Sequence, residues 1–183
     1  NESYLLGAPE IVLGTTYEKV SSEINHLLEE GFRVLVLAGT KEKIYDQLNL
    51  GAYALGYVVL ANPIRENAKS TFNYFAEQGV NIKVISGDNP QTVSAVAKRA
   101  GITGAERFID ANLLKTKEDL DQAVESYTVF GRVTPDQKRR LVQALKRKDH
   151  TVAMTGDGVN DILAMKSADC SIAMASGSDA ATQ

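Results

Sequence analysis

Cysteine is nearly absent from this chain: its 183 residues include one, Cys170. A single thiol closes no internal disulfide, and with no second cysteine there is no thiolate pair to hold zinc. Cys170 reads as a small buried thiol beside a strand. Long apolar runs are missing too. No stretch approaches the roughly 20 apolar residues that cross a bilayer, and the first residues, Asn-Glu-Ser-Tyr, lack the basic lead of a signal peptide. The segment is therefore expected not to be inserted in a membrane. Neither sign of charge dominates: 20 Lys and Arg stand against 23 Asp and Glu, a net charge of −3, which argues against a nucleic-acid partner. The short basic runs at 138–140 and 146–148 read as solvated helix faces. Internal repeats and low-complexity segments are also lacking.

What is present suits a globular core. The hydrophobic fraction is 44% and the charged fraction 23%, an ordinary balance for a chain that buries a sizeable interior. From about Gly56 onward, short apolar runs alternate with helical spacing. The runs at 56–61, 80–86, 127–130, 151–155 and 170–175 read as strands. This alternation predicts an α/β fold with a mainly parallel sheet covered by helices on both faces.

Helix boundaries are marked by capping chemistry. Asn89 precedes Pro90, and Val93, Val96, Ala97 and Ala100 then fall on one face before Gly101. Thr134, Pro135 and Gln137 form a capping-box pattern, followed by a buried stripe of Leu141, Val142 and Leu145. Phe72, Phe75 and Ala76 are expected to form the core face of the helix before Gly79. Residues 1–58 differ in texture. Residues 16–30 read as an amphipathic helix closed by Gly31, 32–38 as a strand, and 39–54 as a polar, mixed stretch broken at Gly51. This part is expected to be a small separate layer.

Three loops carry candidate chemistry. The first is the Met-Thr-Gly-Asp-Gly-Val-Asn-Asp string at 154–161, where a strand ends and a helix begins near Asn160. Ligands in a parallel sheet bind beyond the carboxyl ends of the strands, so Asp157, flanked by Gly156 and Gly158, is placed at such a crevice. With Asp161 four residues on, it suits a hard cation such as magnesium; the plainer alternative is a turn in which Asp157 only caps the next helix. The second loop is Ser86-Gly87-Asp88-Asn89. A hydroxyl there, followed by the open N–H groups of a helix start, makes an anion site, or merely a turn and cap. The third runs from Arg132 to Lys138, one turn into its helix, where a lysine can act as a point charge on a phosphoryl group. Alone it would be solvated surface. Hydroxyl, cation and carboxylate on three strand ends are the parts that phosphoryl transfer requires.

In order and spacing, residues 84–90, 132–138 and 154–161 resemble the motifs of P-type cation-transporting ATPases, members of the haloacid dehalogenase-like superfamily. The stretch 164–175 continues the likeness. Asn62-Pro63-Ile64-Arg65 is similar to the family's Asp-Pro-Pro-Arg junction, Leu6-Gly7-Ala8 to its Lys-Gly-Ala segment, and 31–35 to its arginine-bearing strand. The resemblance spans nearly the whole chain.

It implies a Rossmann-like parallel sheet with a partial α+β nucleotide-binding subdomain. Residues 1–58 would belong to the nucleotide-binding domain, and 59–183 to a phosphorylation domain without its first strand. The parent would be an ATP-driven cation pump, with Mg2+ and ATP as cofactor and substrate and an aspartyl-phosphate intermediate. Ser86 would hydrogen-bond phosphoryl oxygens and Lys138 would pair with them. Asp157 would ligate magnesium, with Asn160 and Asp161 completing and orienting that site. Arg33 would contact nucleotide phosphate, Asp88 and Arg132 would support the cleft, and Gly87 and Gly156 would line the binding loops. The segment would lie on the cytoplasmic side of the cell membrane, and its partners would be the actuator domain and transmembrane helices of the same polypeptide. Residues 176–179 lean toward the calcium- or magnesium-handling branch.

Three departures stand out. The family's Asp-Lys-Thr-Gly-Thr phosphorylation motif is absent, Leu6 replaces a lysine and Asn62 an aspartate. The chain reads as an excised fragment unable to form a phosphoenzyme alone. A soluble phosphatase of the same superfamily and a non-catalytic nucleotide- or magnesium-binding module are the alternatives.

Overall fold

The computed structural model describes residues 2–41, 52–61 and 63–174. Gly51, Asn62, Ala175 and residues 176–179, each named above, lie outside them. The chain divides into two compact units, Asn1–Glu66 and Asn67–Gln183.

In the first unit, β1 (Ser3–Gly7) leads into α1 (Pro9–Leu13), with Pro9 in the first helical turn, where its missing N–H costs nothing. A 3-10 turn (Gly14–Lys19) and α2 (Ser21–Glu29) follow, so the helix expected over 16–30 is split. β2 (Arg33–Thr40) and β3 (Tyr53–Leu60) complete a three-stranded antiparallel sheet in the order β1-β2-β3. Val36 and Ala38 pack with Val12 and Leu13, and Val34 with Ile24 and Leu28. The run at 56–61 is thus not the first strand of the parallel layer. It pairs antiparallel with β2, through a bulge at Leu37/Ala38. Apolar runs read alike in either pairing, and only the partner decides.

The second unit begins with α3 (Ala68–Glu77), followed by β4 (Val84–Ile85), α4 (Pro90–Arg99), β5 (Phe108–Asp110) and a 3-10 turn (Ala111–Leu113). Then come α5 (Lys117–Ser126), β6 (Val129–Gly131), α6 (Pro135–Arg147), β7 (Ala153–Gly156), a second turn (Val159–Asp161), α7 (Ile162–Ser167) and β8 (Cys170–Ala173). All pairings here are parallel, in the orders β4-β6-β5 and β7-β8. This is the α/β, Rossmann-like architecture expected from the alternation. The strand expected over 80–86 shortens to Val84 and Ile85, while β1 and β5 had not been anticipated.

Helix α6 joins the two parallel layers. Its Leu141 and Ala144 pack with Phe130, Val133 and Leu120, whereas Val142 packs with Val152, Met154, Ala164 and Met165. Fully burying a side chain such as Leu141 contributes about 1.5–3 kcal/mol, so one helix with apolar residues on two adjacent faces fixes both layers. The predicted caps form. Asn89 Oδ1 accepts the Gln91 N–H at 2.9 Å, and Thr134 and Gln137 make a reciprocal capping box.

Two expectations about burial fail. Helix α3 has no buried residue, and Phe75 is 38% exposed, so the Phe72, Phe75 and Ala76 stripe lacks a full cover in this chain. Cys170 is exposed on β8 rather than buried. In a sheet with both faces covered the same patterns would be interior, which is why their sequence reads as core.

Candidate functional site

The loops after β4, β6 and β7 all leave the carboxyl ends of parallel strands. Backbone hydrogen bonds lace the first two together: Ser86 N–H donates to Phe130 O at 3.0 Å, Val133 N–H to Ser86 O at 3.0 Å, and Arg132 N–H to Asp88 O at 2.8 Å. Such close approach requires Gly131, because a Cβ at that position would overlap the Cα and ring of Pro90. Ser86 Oγ accepts the Asp88 N–H at 3.2 Å and so still carries a hydroxyl hydrogen to donate. Gly87 at the loop tip is exposed.

Arg132 holds a left-handed backbone, φ 52°, uncommon for a residue with a side chain. Its guanidinium donates to Asp110 Oδ2 at 2.6 Å, fixing the β6 loop to the end of β5. Asp110 also accepts the Asn112 N–H. Sequence reasoning missed Asp110; an aspartate closing a short apolar run before Ala-Asn was the available signal.

The third loop joins the others through a charge pair. Lys138 Nζ lies 2.6 Å from Asp161 Oδ1, and the two side chains are 14% and 10% exposed. Lys138 is therefore not part of a solvated basic face. The other Asp161 oxygen accepts the Asp157 and Gly158 N–H groups at 3.3 and 3.4 Å, tying down the turn that presents Asp157. Asp157 and Asn160 are exposed. Gly156 is again a close-approach position, since a Cβ there would lie 2.5 Å from Asp161 Cβ.

Asp169 anchors the opposite end of β7. It accepts from Lys146 Nζ at 2.7 Å and from the Val152 N–H at 2.9 Å, and these bonds, the lysine's first, hold its carboxyl below the usual aspartate range. Lys146 and Arg147, expected to be solvated, thus pair with Asp169 and Asp121.

The sequence-predicted residues Ser86, Gly87, Asp88, Arg132, Lys138, Gly156, Asp157, Asn160 and Asp161 all belong to these three loops and the first turn of α6. Arg33 opens β2 in the first unit and is exposed. Among the described residues, no three His, Cys, Asp or Glu side chains cluster as a metal cage. The donor set does fit a magnesium ion that keeps most of its waters: one exposed carboxylate, Asp157, and, three residues on, the exposed amide of Asn160.

A family model for haloacid dehalogenase-like hydrolases matches residues 4–169, and the chain belongs to that family. Among curated proteins it is 45% identical over 181 residues to the probable cation-transporting ATPase exp7 of Streptococcus pneumoniae, covering 97% of this chain and 23% of that protein. It is also 45% identical over 180 residues to the calcium-transporting ATPase CtpE of Mycobacterium tuberculosis (97% and 22% covered). To the cation-transporting ATPase pma1 of Synechocystis it is 37% identical over 169 residues (87% and 19% covered). The resemblance to cation-transporting ATPases drawn from the sequence is thus borne out. The chain spans less than a quarter of the length of these relatives.

Proposed function

We propose that this chain is the phosphate- and magnesium-handling part of an ATP-driven cation pump, joined to part of its nucleotide-binding domain, on the cytoplasmic side of a membrane. The nucleotide-binding part, expected over 1–58, runs through β3 toward the division of the two units at Glu66, and the pump belongs to the calcium- or magnesium-handling class. The observation that carries the reading is the largely buried Lys138–Asp161 pair, which sets a lysine beside the Asp157 turn at the strand ends. The names of relatives that align with 97% of this chain at 45% identity support it.

Asp157 would ligate a magnesium ion, with Asn160 and Asp161 completing and orienting its site, and the ion would supply charge neutralisation at the phosphoryl group. Ser86 donates its hydroxyl hydrogen to a phosphoryl oxygen. Lys138, oriented by Asp161, offers a second cation toward the same group. Asp88 and Arg132 brace the β4 and β6 loops, and Gly87 and Gly156 allow close backbone approach. Arg33 contacts nucleotide phosphate. The nucleophilic aspartate lies on a stretch of the polypeptide outside these residues. Within the described residues β4 and β7 each pair on one side only, so each offers an edge to a further parallel strand.

The test is phosphorylation by labelled ATP with magnesium. The chain alone is expected to stay unlabelled, while the complete parent forms an acid-stable, hydroxylamine-sensitive adduct that Lys138→Met lowers by about 100-fold or more. Label on the isolated chain, or full labelling of the substituted parent, would overturn the assignment.

A further inference from the structure

A lysine ammonium sits on a flexible stem, so the backbone beneath it must be fixed before it meets a phosphoryl group in one geometry. Asp161 holds the far end of the Lys138 side chain. The apolar stripe of α6 begins only at Leu141, so it fixes the helix beyond the lysine rather than the turn that carries it. That turn and the loop before it, 132–137, are gripped at both ends by the end of β5. At the start of the loop the Arg132 guanidinium donates to Asp110 Oδ2 at 2.6 Å, while Asp110 Oδ1 accepts the Asn112 N–H at 2.9 Å. One carboxylate thus caps its own turn and ties down the neighbouring loop. At the other end Gln137 uses both halves of its amide. Its Oε1 accepts the Thr134 N–H at 3.0 Å, closing the capping box, and its Nε2 donates to Ala111 O at 2.9 Å. The anchor is firm, since Ala111 is 1% exposed and packs in one cluster with Phe130, Val133 and Leu141.

We propose that Asp110 and Gln137 are positioning residues for Lys138: through Arg132 and Ala111 they pin the loop that presents the lysine to the end of β5. Two features favour this over plain helix capping. A glutamate at position 137 would complete the capping box equally well, but it has no N–H to offer a carbonyl. The cap alone does not need the amide; the tie to β5 does. Arg132 also holds its left-handed backbone, φ 52°, a conformation that persists where the surroundings over-determine it. The pin at Asp110 and the Arg132 N–H bond to Asp88 O supply that constraint from two sides. Neither residue touches the reacting group. Their part in the reaction rests on the phosphoryl-transfer reading of Lys138 given above, whereas the placing of the lysine does not.

Phosphoenzyme formation in the full-length parent tests the catalytic part, and NMR of the 183-residue chain tests the geometry. Asp110→Asn leaves one carbonyl oxygen for two donors, and Gln137→Glu keeps the cap while losing the tie, so the two variants loosen the loop independently. Asp121→Asn breaks the Arg147 pair at the far end of α6 and serves as the control for lost stability. Asp110→Asn and Gln137→Glu are each expected to be labelled by ATP about tenfold more slowly at saturating nucleotide, with the half-saturating ATP concentration unchanged. Asp121→Asn is expected to match the unsubstituted parent. In the isolated chain the amide signals of Asp157 and Gly158, which bond to Asp161, are expected to shift in the first two variants and to stay in place in the third. Unshifted amides overturn the positioning, and shifted amides with an unchanged labelling rate overturn its part in the reaction. Equal slowing by Asp121→Asn reduces both ties to general stability and overturns the proposal as well. A parent that forms no phosphoenzyme at all sinks the pump reading instead, and the amide shifts still decide whether the end of β5 places Lys138.

Discussion

The ammonium of Lys138 and the carboxylate of Asp161 lie 2.6 Å apart across 23 residues of sequence, both largely withdrawn from water. One oxygen of Asp161 holds the lysine and the other holds the turn that presents Asp157. A single carboxylate thus couples the start of α6 to the loop after β7.

Removing either partner leaves an uncompensated charge in a nearly dry setting. Lys138→Met and Asp161→Leu are each expected to cost about 3 kcal/mol in urea unfolding of the chain. The double substitution should cost less than the sum of the two, by about 1–3 kcal/mol, because the second change removes the charge that the first stranded. Strictly additive losses would mean that the pair contributes no coupling.

Gly156 and Gly158 flank the same turn but differ in the room around them. A Cβ on Gly156 meets Asp161 Cβ at 2.5 Å and Met165 Sδ at 3.0 Å, whereas one on Gly158 meets nothing closer than 3.9 Å. Gly156→Ala is therefore expected to destabilise by about 1–3 kcal/mol through forced displacement. Gly158→Ala should stay within about 0.5 kcal/mol of the parent chain. Thermal melts of both variants check the contrast.

That asymmetry could not be read from the string, where the two glycines look equivalent. Local chemistry was legible: the Asn89 cap, the Thr134–Gln137 box and the three strand-end loops follow from side chains within a few residues of one another. Long-range partners were not. Nothing in the spacing joins Lys138 to Asp161 or Arg132 to Asp110, because these contacts depend on how α6 and the strands stack. The run at 56–61 failed for a related reason, since an apolar stretch does not state whether its neighbour is parallel. The α3 stripe has the right period for a core face, yet its period says nothing about which layer, in this chain or beyond it, comes to cover it.

Acid should loosen the β7 end of the second unit. Hydrogen bonds from Lys146 and then Val152 hold the Asp169 carboxyl below the usual aspartate range, and the Arg147 hydrogen bond lowers Asp121 likewise. A carboxylate depressed on folding contributes stability above its unfolded value and loses it as pH falls through the folded one. Unfolding free energy is thus expected to hold steady down to about pH 4 and to decline below it. Asp169→Asn should flatten part of that decline while lowering stability at neutral pH. A decline unchanged by the substitution would place the acid sensitivity elsewhere.

Asp157 and Asp161 are neighbours with opposite duties, and this separates binding from folding. Asp157 is exposed on its turn, while Asp161 is buried and holds both the turn and a lysine. Asp157→Asn is expected to leave urea stability within about 0.5 kcal/mol, because an exposed carboxylate gives up little on neutralisation. It should nevertheless abolish the magnesium-dependent NMR shifts of residues 156–161, since a hard cation needs the charged oxygen that the amide lacks. Asp161→Asn should do the reverse in part, losing stability while keeping a weakened magnesium response through Asp157. If Asp157→Asn keeps its magnesium shifts, the ion is held elsewhere in the unit.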